Sequence, residues 1–142
     1  VAVTISVYNH TARLFASGAN AAADTYKAML CTAATFDATN TTLAGITKTE
    51  ASGNGYTAGG ATLANVAVTT TTTNDATFDA DDATWTASGG SIAASYAILY
   101  NATDSGSPPL AFIDFGGSES AGDGTQFKLT WNASGIFSFT VA

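Results

Sequence analysis

The sequence predicts an all-β domain, a jelly roll or related antiparallel β-sandwich of about eight strands. Three observations lead there. Apolar residues recur at every second position in most ordered stretches, the period of a strand with one face buried. Clusters of Gly, Asn, Asp and Ser separate these stretches at short intervals, and such punctuation between short strands marks sandwiches and jelly rolls. Only residues 11–23 offer helical material, so at most one short helix is expected there.

Taken in order, Val1, Val3, Ile5 and Val7 alternate with Ala2, Thr4 and Ser6 and predict a half-buried first strand. Thr11 to Ala16 has the composition of a helical turn or two before Gly18, and the alanines of 19–23 would prolong it if Gly18 and Asn20 allowed. Tyr26, Ala28 and Leu30 form the inner face of a further strand with Lys27 outside. Residues 61–70, 76–78, 84–86 and 110–115 read as strands, and the threonines of 69–73 extend one strand or form a loop. Residues 92–100 are apolar on both faces around Tyr96, Ile98 and Leu99, as in a central strand or one whose outer face meets a partner. Phe127, Leu129 and Trp131 share one face of a late strand, and Phe137, Phe139 and Val141 share one face of the last. Glycine pairs at 59–60, 89–90 and 116–117 read as breaks between strands. No repeat or linker divides the chain, so residues 1–142 form one domain, with residues 1–8 as an N-terminal interacting strand or arm.

Composition narrows the function. Charged residues are 11% of the chain, against roughly 25% in an average soluble domain. The 4 basic and 11 acidic residues leave a net charge of −7. Neutralising phosphates takes many cations, so nucleic acid is not expected as a partner. No apolar run approaches the roughly 18 residues of a membrane span, and no basic and apolar leader is evident, so neither membrane nor signal peptide is expected. A single cysteine, Cys31, excludes an internal disulfide framework.

Catalytic parts are sparse. His10 is the only histidine, which leaves general-base chemistry with Ser or Cys31 as a formal option and a solvated or hydrogen-bonded ring as the better reading. Cys31 closes an apolar run and reads as a buried small hydrophobe. Asp79, Asp81 and Asp82 supply hard oxygen ligands of the kind calcium takes, but without EF-hand spacing, and the plainer reading is an acidic loop capping turns. Glu50 and Glu119 are the only glutamates and lie among turn residues, which gives no carboxylate pair of glycosidase type. Tyr56, Trp85 and Trp131 have the faces of a sugar platform, although core packing is the better reading for both tryptophans. No cofactor is called for.

Several segments in series carry a resemblance: Thr25-Tyr26-Lys27-Ala28-Met29-Leu30, Gly55-Tyr56-Thr57-Ala58-Gly59-Gly60, Phe78-Asp79-Ala80-Asp81-Asp82, Tyr96-Ala97-Ile98-Leu99-Tyr100, Ile113-Asp114-Phe115-Gly116 and Asn132-Ala133-Ser134-Gly135-Ile136. From about Asp24 onward the chain resembles small virion structural proteins of tailed bacteriophages, similar to capsid cement or decoration proteins. The resemblance implies a jelly-roll or related sandwich without catalytic residues. Such a protein would be made in the bacterial host cytoplasm and sit on the outer surface of the capsid, bridging copies of the major capsid protein. Partners would be that protein and further copies of itself, as a dimer or trimer at a symmetry axis. Edge strands usually carry Lys or Pro against pairing, and this chain has 4 cations and 2 prolines. Val1, Val3, Ile5 and Val7 are therefore the expected interface, unless that strand simply completes the core. The alternatives are a carbohydrate- or receptor-binding sandwich of a tail fibre or adhesin, with Tyr56 and Trp85 as an exposed aromatic pair, and a small hydrolase in which His10 meets a carboxylate.

Overall fold

The computed structural model describes residues 3–70 and 74–140. It begins with β1 (Thr4–Val7) and α1 (Thr11–Ala16), then runs β2 (Tyr26–Ala34), β3 (Lys48–Glu50), β4 (Ala61–Thr62) and β5 (Ala67–Thr69). The second half adds β6 (Asp75–Asp79), β7 (Ala83–Thr86), β8 (Ile92–Asn101), β9 (Pro109–Ala121), β10 (Gln126–Leu129) and β11 (Phe137–Thr140). The described residues thus hold eleven strands where alternation suggested about eight. The extra ones are short: Lys48–Glu50 carries no apolar period, and residues 61–70 split into β4 and β5.

The strands form a sandwich-like all-β fold in which every pairing is antiparallel. The main sheet has the order β1-β9-β8-β2-β3, with β4 also paired to β2, and the smaller ladders are β10-β7 and β11-β6-β5. Both small sheets share one face of the main sheet. There Tyr26, Ala28, Leu30, Ala97, Leu99 and Ile113 pack in one buried cluster with Phe78, Trp85, Phe127 and Leu129. Tyr26, Ala28 and Leu30 are fully buried, as their alternation predicts.

The other face of the main sheet is also covered, by the chain itself. Met29, Cys31, Ile98, Tyr100 and Phe112 form a second cluster with Tyr8 and Ile46, and Phe36 and Leu43 pack against it. Strand β8 is therefore central, flanked by β9 and β2, and its outer face meets residues 35–47 of the same chain. Its apolar character on both faces follows from this double burial.

Three local departures from the sequence reading have clear causes. Helix α1 stops at Ala16 and does not continue into 19–23, because Gly18 turns left-handed at φ +79 and the Asn20 N–H reaches back to the Leu14 carbonyl at 3.0 Å. The pair Gly116-Gly117 does not break a strand. It lies inside β9, where the ladder places Ala94 opposite Glu119 and Tyr96 opposite Asp114, so the intervening residues of β9 loop out opposite Ser95. Trp131 is not in β10, which ends at Leu129, because its N–H donates to the Asp82 side chain at 2.9 Å instead of to a ladder partner.

Candidate interaction surface

Strand β1 lies at the edge of the main sheet. It pairs through Thr4–Asp114, Ile5–Ile113, Ser6–Phe112 and Val7–Ala111 on one side, and among the described residues no strand pairs with its other side. Opposed residues of an antiparallel ladder project to the same face, so Ile5 and Val7 share the face of Ile113 and Ala111. The core does not extend over them. Ile5 is 41% exposed and Val3 58%, while Val7 is half-buried. The expected half-buried strand is thus only partly buried, because neither small sheet reaches this rim. Val1 lies outside the described residues.

Beside this rim runs a groove of about 510 Å³, lined among others by Val3, Phe115, Glu119, Gln126, Phe127 and Leu129. It separates two strand edges. β10 pairs with β7 alone, and β9 beyond Asp114 has no neighbour on the β1 side among the described residues. Residues 3–7 carry no charge and no proline. The opposite edge of the sheet differs: β3 presents Lys48 and Glu50, with the Lys48 ammonium donating to the Leu43 carbonyl at 2.6 Å.

The other singled-out residues have structural partners. The His10 ring Nε2 lies 2.7 Å from the Pro109 carbonyl oxygen, which tethers the start of α1 to β9, and no carboxylate hydrogen-bonds to it among the described residues. Cys31 is fully buried, and burial together with nearby Glu50 pushes its thiol up to about 11. Tyr56 and Trp85 do stand together, with ring centroids 6.3 Å apart, but both are buried, as is Trp131. The aromatic pair expected of a sugar-binding surface is therefore core.

The acidic segment is committed to closing the sandwich. Asp82 accepts the Trp131 N–H and pairs with Lys128 at 3.1 Å, and these bonds hold its carboxyl below the usual range. Asp81 accepts from the Asn65 amide at 2.7 Å, and its backbone carbonyl takes the Trp131 indole N–H at 3.1 Å. Among the described residues no three His, Cys, Asp or Glu side chains are grouped to hold a metal ion.

Two features escaped the sequence reading. Glu50 Oε1 accepts from the Tyr56 hydroxyl at 2.9 Å and the Gly59 N–H at 2.5 Å, while the Tyr100 hydroxyl donates to the Gly59 carbonyl at 2.7 Å. These bonds clamp the loop after β3 onto the sheet. The segment Gly55 to Gly60 was visible as a turn, but no local signal tied it to Glu50. The second feature is the burial of Asn20, 3% exposed, against Asn101, 0% exposed; only the fold brings together residues 81 positions apart. Comparison of the chain with family models, curated proteins and solved structures finds no match.

Proposed function

We propose that this protein is a non-enzymatic virion structural protein, a cement or decoration protein on the outside of a bacteriophage head that binds neighbouring copies of the major capsid protein. The observation that carries the reading is the rim at β1: an uncharged strand edge with Val3 and Ile5 exposed beside a groove of mixed lining, Phe115, Phe127 and Leu129 with Glu119, Gln126 and Lys128. Edge strands left without Lys, Pro or a bulge invite pairing with another chain. Strand addition there draws affinity from main-chain hydrogen bonds and specificity from alternate side chains. The low charge of the whole chain suits a surface covered by protein neighbours, and the segment resemblance supplies the virion setting.

Cryo-electron microscopy of purified virions tests the setting. Ordered copies over the head surface are expected; copies confined to the tail, or none in the virion, would overturn it. The edge is tested with Ile5→Lys and purified capsids. A charge on this rim should weaken capsid binding at least tenfold while leaving the melting temperature within a few degrees, because Ile5 is already half in solvent. Undiminished binding would remove β1 from the interface.

A further inference from the structure

We propose that β1 pairs with β1 of a second copy of this chain, antiparallel across a two-fold axis at Ile5, joining the two main sheets edge to edge. The register of β1 decides which of its backbone groups are open. The Tyr8 N–H donates to the Leu110 carbonyl at 3.0 Å, so Tyr8 and Leu110 form a hydrogen-bonded pair. Bonded and non-bonded pairs alternate along an antiparallel ladder. The pairs Ser6–Phe112 and Thr4–Asp114 are therefore bonded in the same way. Ile5 and Val7, and Val3 by the same alternation, turn their N–H and C=O groups to the outer side, where no strand meets them among the described residues. The open stretch ends at Asn9, whose N–H donates to the Ala38 carbonyl at 3.0 Å.

A second β1 matches this stretch because the stretch is symmetric about Ile5. With Ile5 opposite Ile5 of the second copy, Val3 meets Val7 and Val7 meets Val3, so every outward residue of both copies gains a bonded partner. Any other centre leaves one of them unmatched within residues 3–7. Opposed residues project to one face. Val3, Ile5 and Val7 of both copies thus form one aliphatic patch on the face that neither small sheet covers at this rim, where Ile5 is 41% and Val3 58% exposed. Thr4 meets Ser6 on the other face, and residues 3–7 bring no charge to the contact. The contact is isologous and closes after two copies, which consumes an edge otherwise open to indefinite pairing. It rests on the same edge as the proposed function and names what covers that edge before a capsid is met; a capsid strand would replace the second copy there.

Sedimentation of the purified full chain, without capsids and from micromolar to millimolar concentration, tests the pairing, and residue-resolved amide exchange tests its register. A monomer–dimer equilibrium is expected. The Thr4 and Ser6 amides should exchange slowly at every concentration, while those of Val3, Ile5 and Val7 should slow only as the dimer fills. Ile5→Pro removes one outward donor per copy and no bond to β9, a position where edge strands tolerate proline. It should weaken the dimer at least tenfold through the loss of two net hydrogen bonds. Ile5→Lys keeps the backbone donor and sets two like charges opposite each other at the axis, and it should weaken the dimer as well even if the proline variant fails to fold. A monomer throughout, an assembly larger than a dimer, the same protection of all five amides at every concentration, or a folded Ile5→Lys variant that dimerises as before would each overturn the pairing. A monomer that still coats capsids would overturn the pairing and leave the proposed function standing; a dimer absent from virions would do the reverse.

Discussion

At Gly60 the loop after β3 comes down on the main sheet so closely that a Cβ would collide with the Ala28 carbonyl and the Met29 backbone. Its φ of +88 is also strained for any L side chain. Strain and overpacking cost about 1–3 kcal/mol each, so Gly60→Ala should lower unfolding free energy by about 2–6 kcal/mol in urea titrations. Gly18→Ala is the control. Its φ is +79, yet nothing lies within 4 Å of the added carbon, and a loss of about 1–2 kcal/mol is expected. Equal losses would mean that the close approach at Gly60 contributes nothing. The sequence announces a turn at this glycine pair; that one member touches a strand over thirty residues upstream is a property of the fold.

Among the elements, β6 with β7 and β10 with β11 make an interrupted ribbon. Its two ladders are separate, and the Ile136 N–H donates to the Phe78 carbonyl at 2.9 Å where the β6-β11 ladder ends. Trp131 sits at that interruption, 6% exposed, bound through its backbone N–H to Asp82 and through its indole to the Asp81 carbonyl. Trp131→Ala should cost roughly 3–5 kcal/mol by loss of a buried aromatic, read by denaturant unfolding; a value near zero would contradict its place in the core. Phe127, Leu129 and Trp131 follow one uninterrupted period of two in the sequence. Periodicity records which side a residue faces, not whether its backbone stays in the ladder, and that is why the end of β10 was not legible. The helix stop was legible only in part: Gly18 marked an interruption, because glycine acts locally, but the alanines of 19–23 left a continuation open.

Across the whole molecule, the centre of the main sheet is dry on both faces and carries groups that ionise only at high pH. Burial raises the hydroxyl pKa of Tyr8, Tyr26, Tyr56 and Tyr100, with Asp24 adding to the effect at Tyr26 and Glu50 at Tyr100. Cys31 is pushed up to about 11. In the unfolded chain these groups lose their protons near their ordinary values, about 8.5 for Cys and 10 for Tyr. Above that range the unfolded state binds fewer protons than the native state, so stability falls as pH rises. The urea midpoint should be nearly flat from about pH 6 to 8 and decline steadily above about 9, and Cys31→Ala should delay the onset. A midpoint that rises between about pH 9 and 11 would show that these side chains are not buried in their neutral forms.

What the residues determined alone is local: strand period, turn chemistry, one helix of about two turns, and a composition poor in cations. Of the candidate surface, the strand-like start of the chain and its lack of guarding charges were legible in the same way. Tertiary structure decided which apolar faces are covered. Alternation gives a strand two faces but does not say what lies over either. Met29, Cys31 and Tyr100 are buried because residues 35–47 fold back across the main sheet, whereas Val3 and Ile5 stay in solvent because no layer extends over the β1 rim. Coverage depends on contacts between distant parts of the chain, so equally apolar strands meet opposite fates.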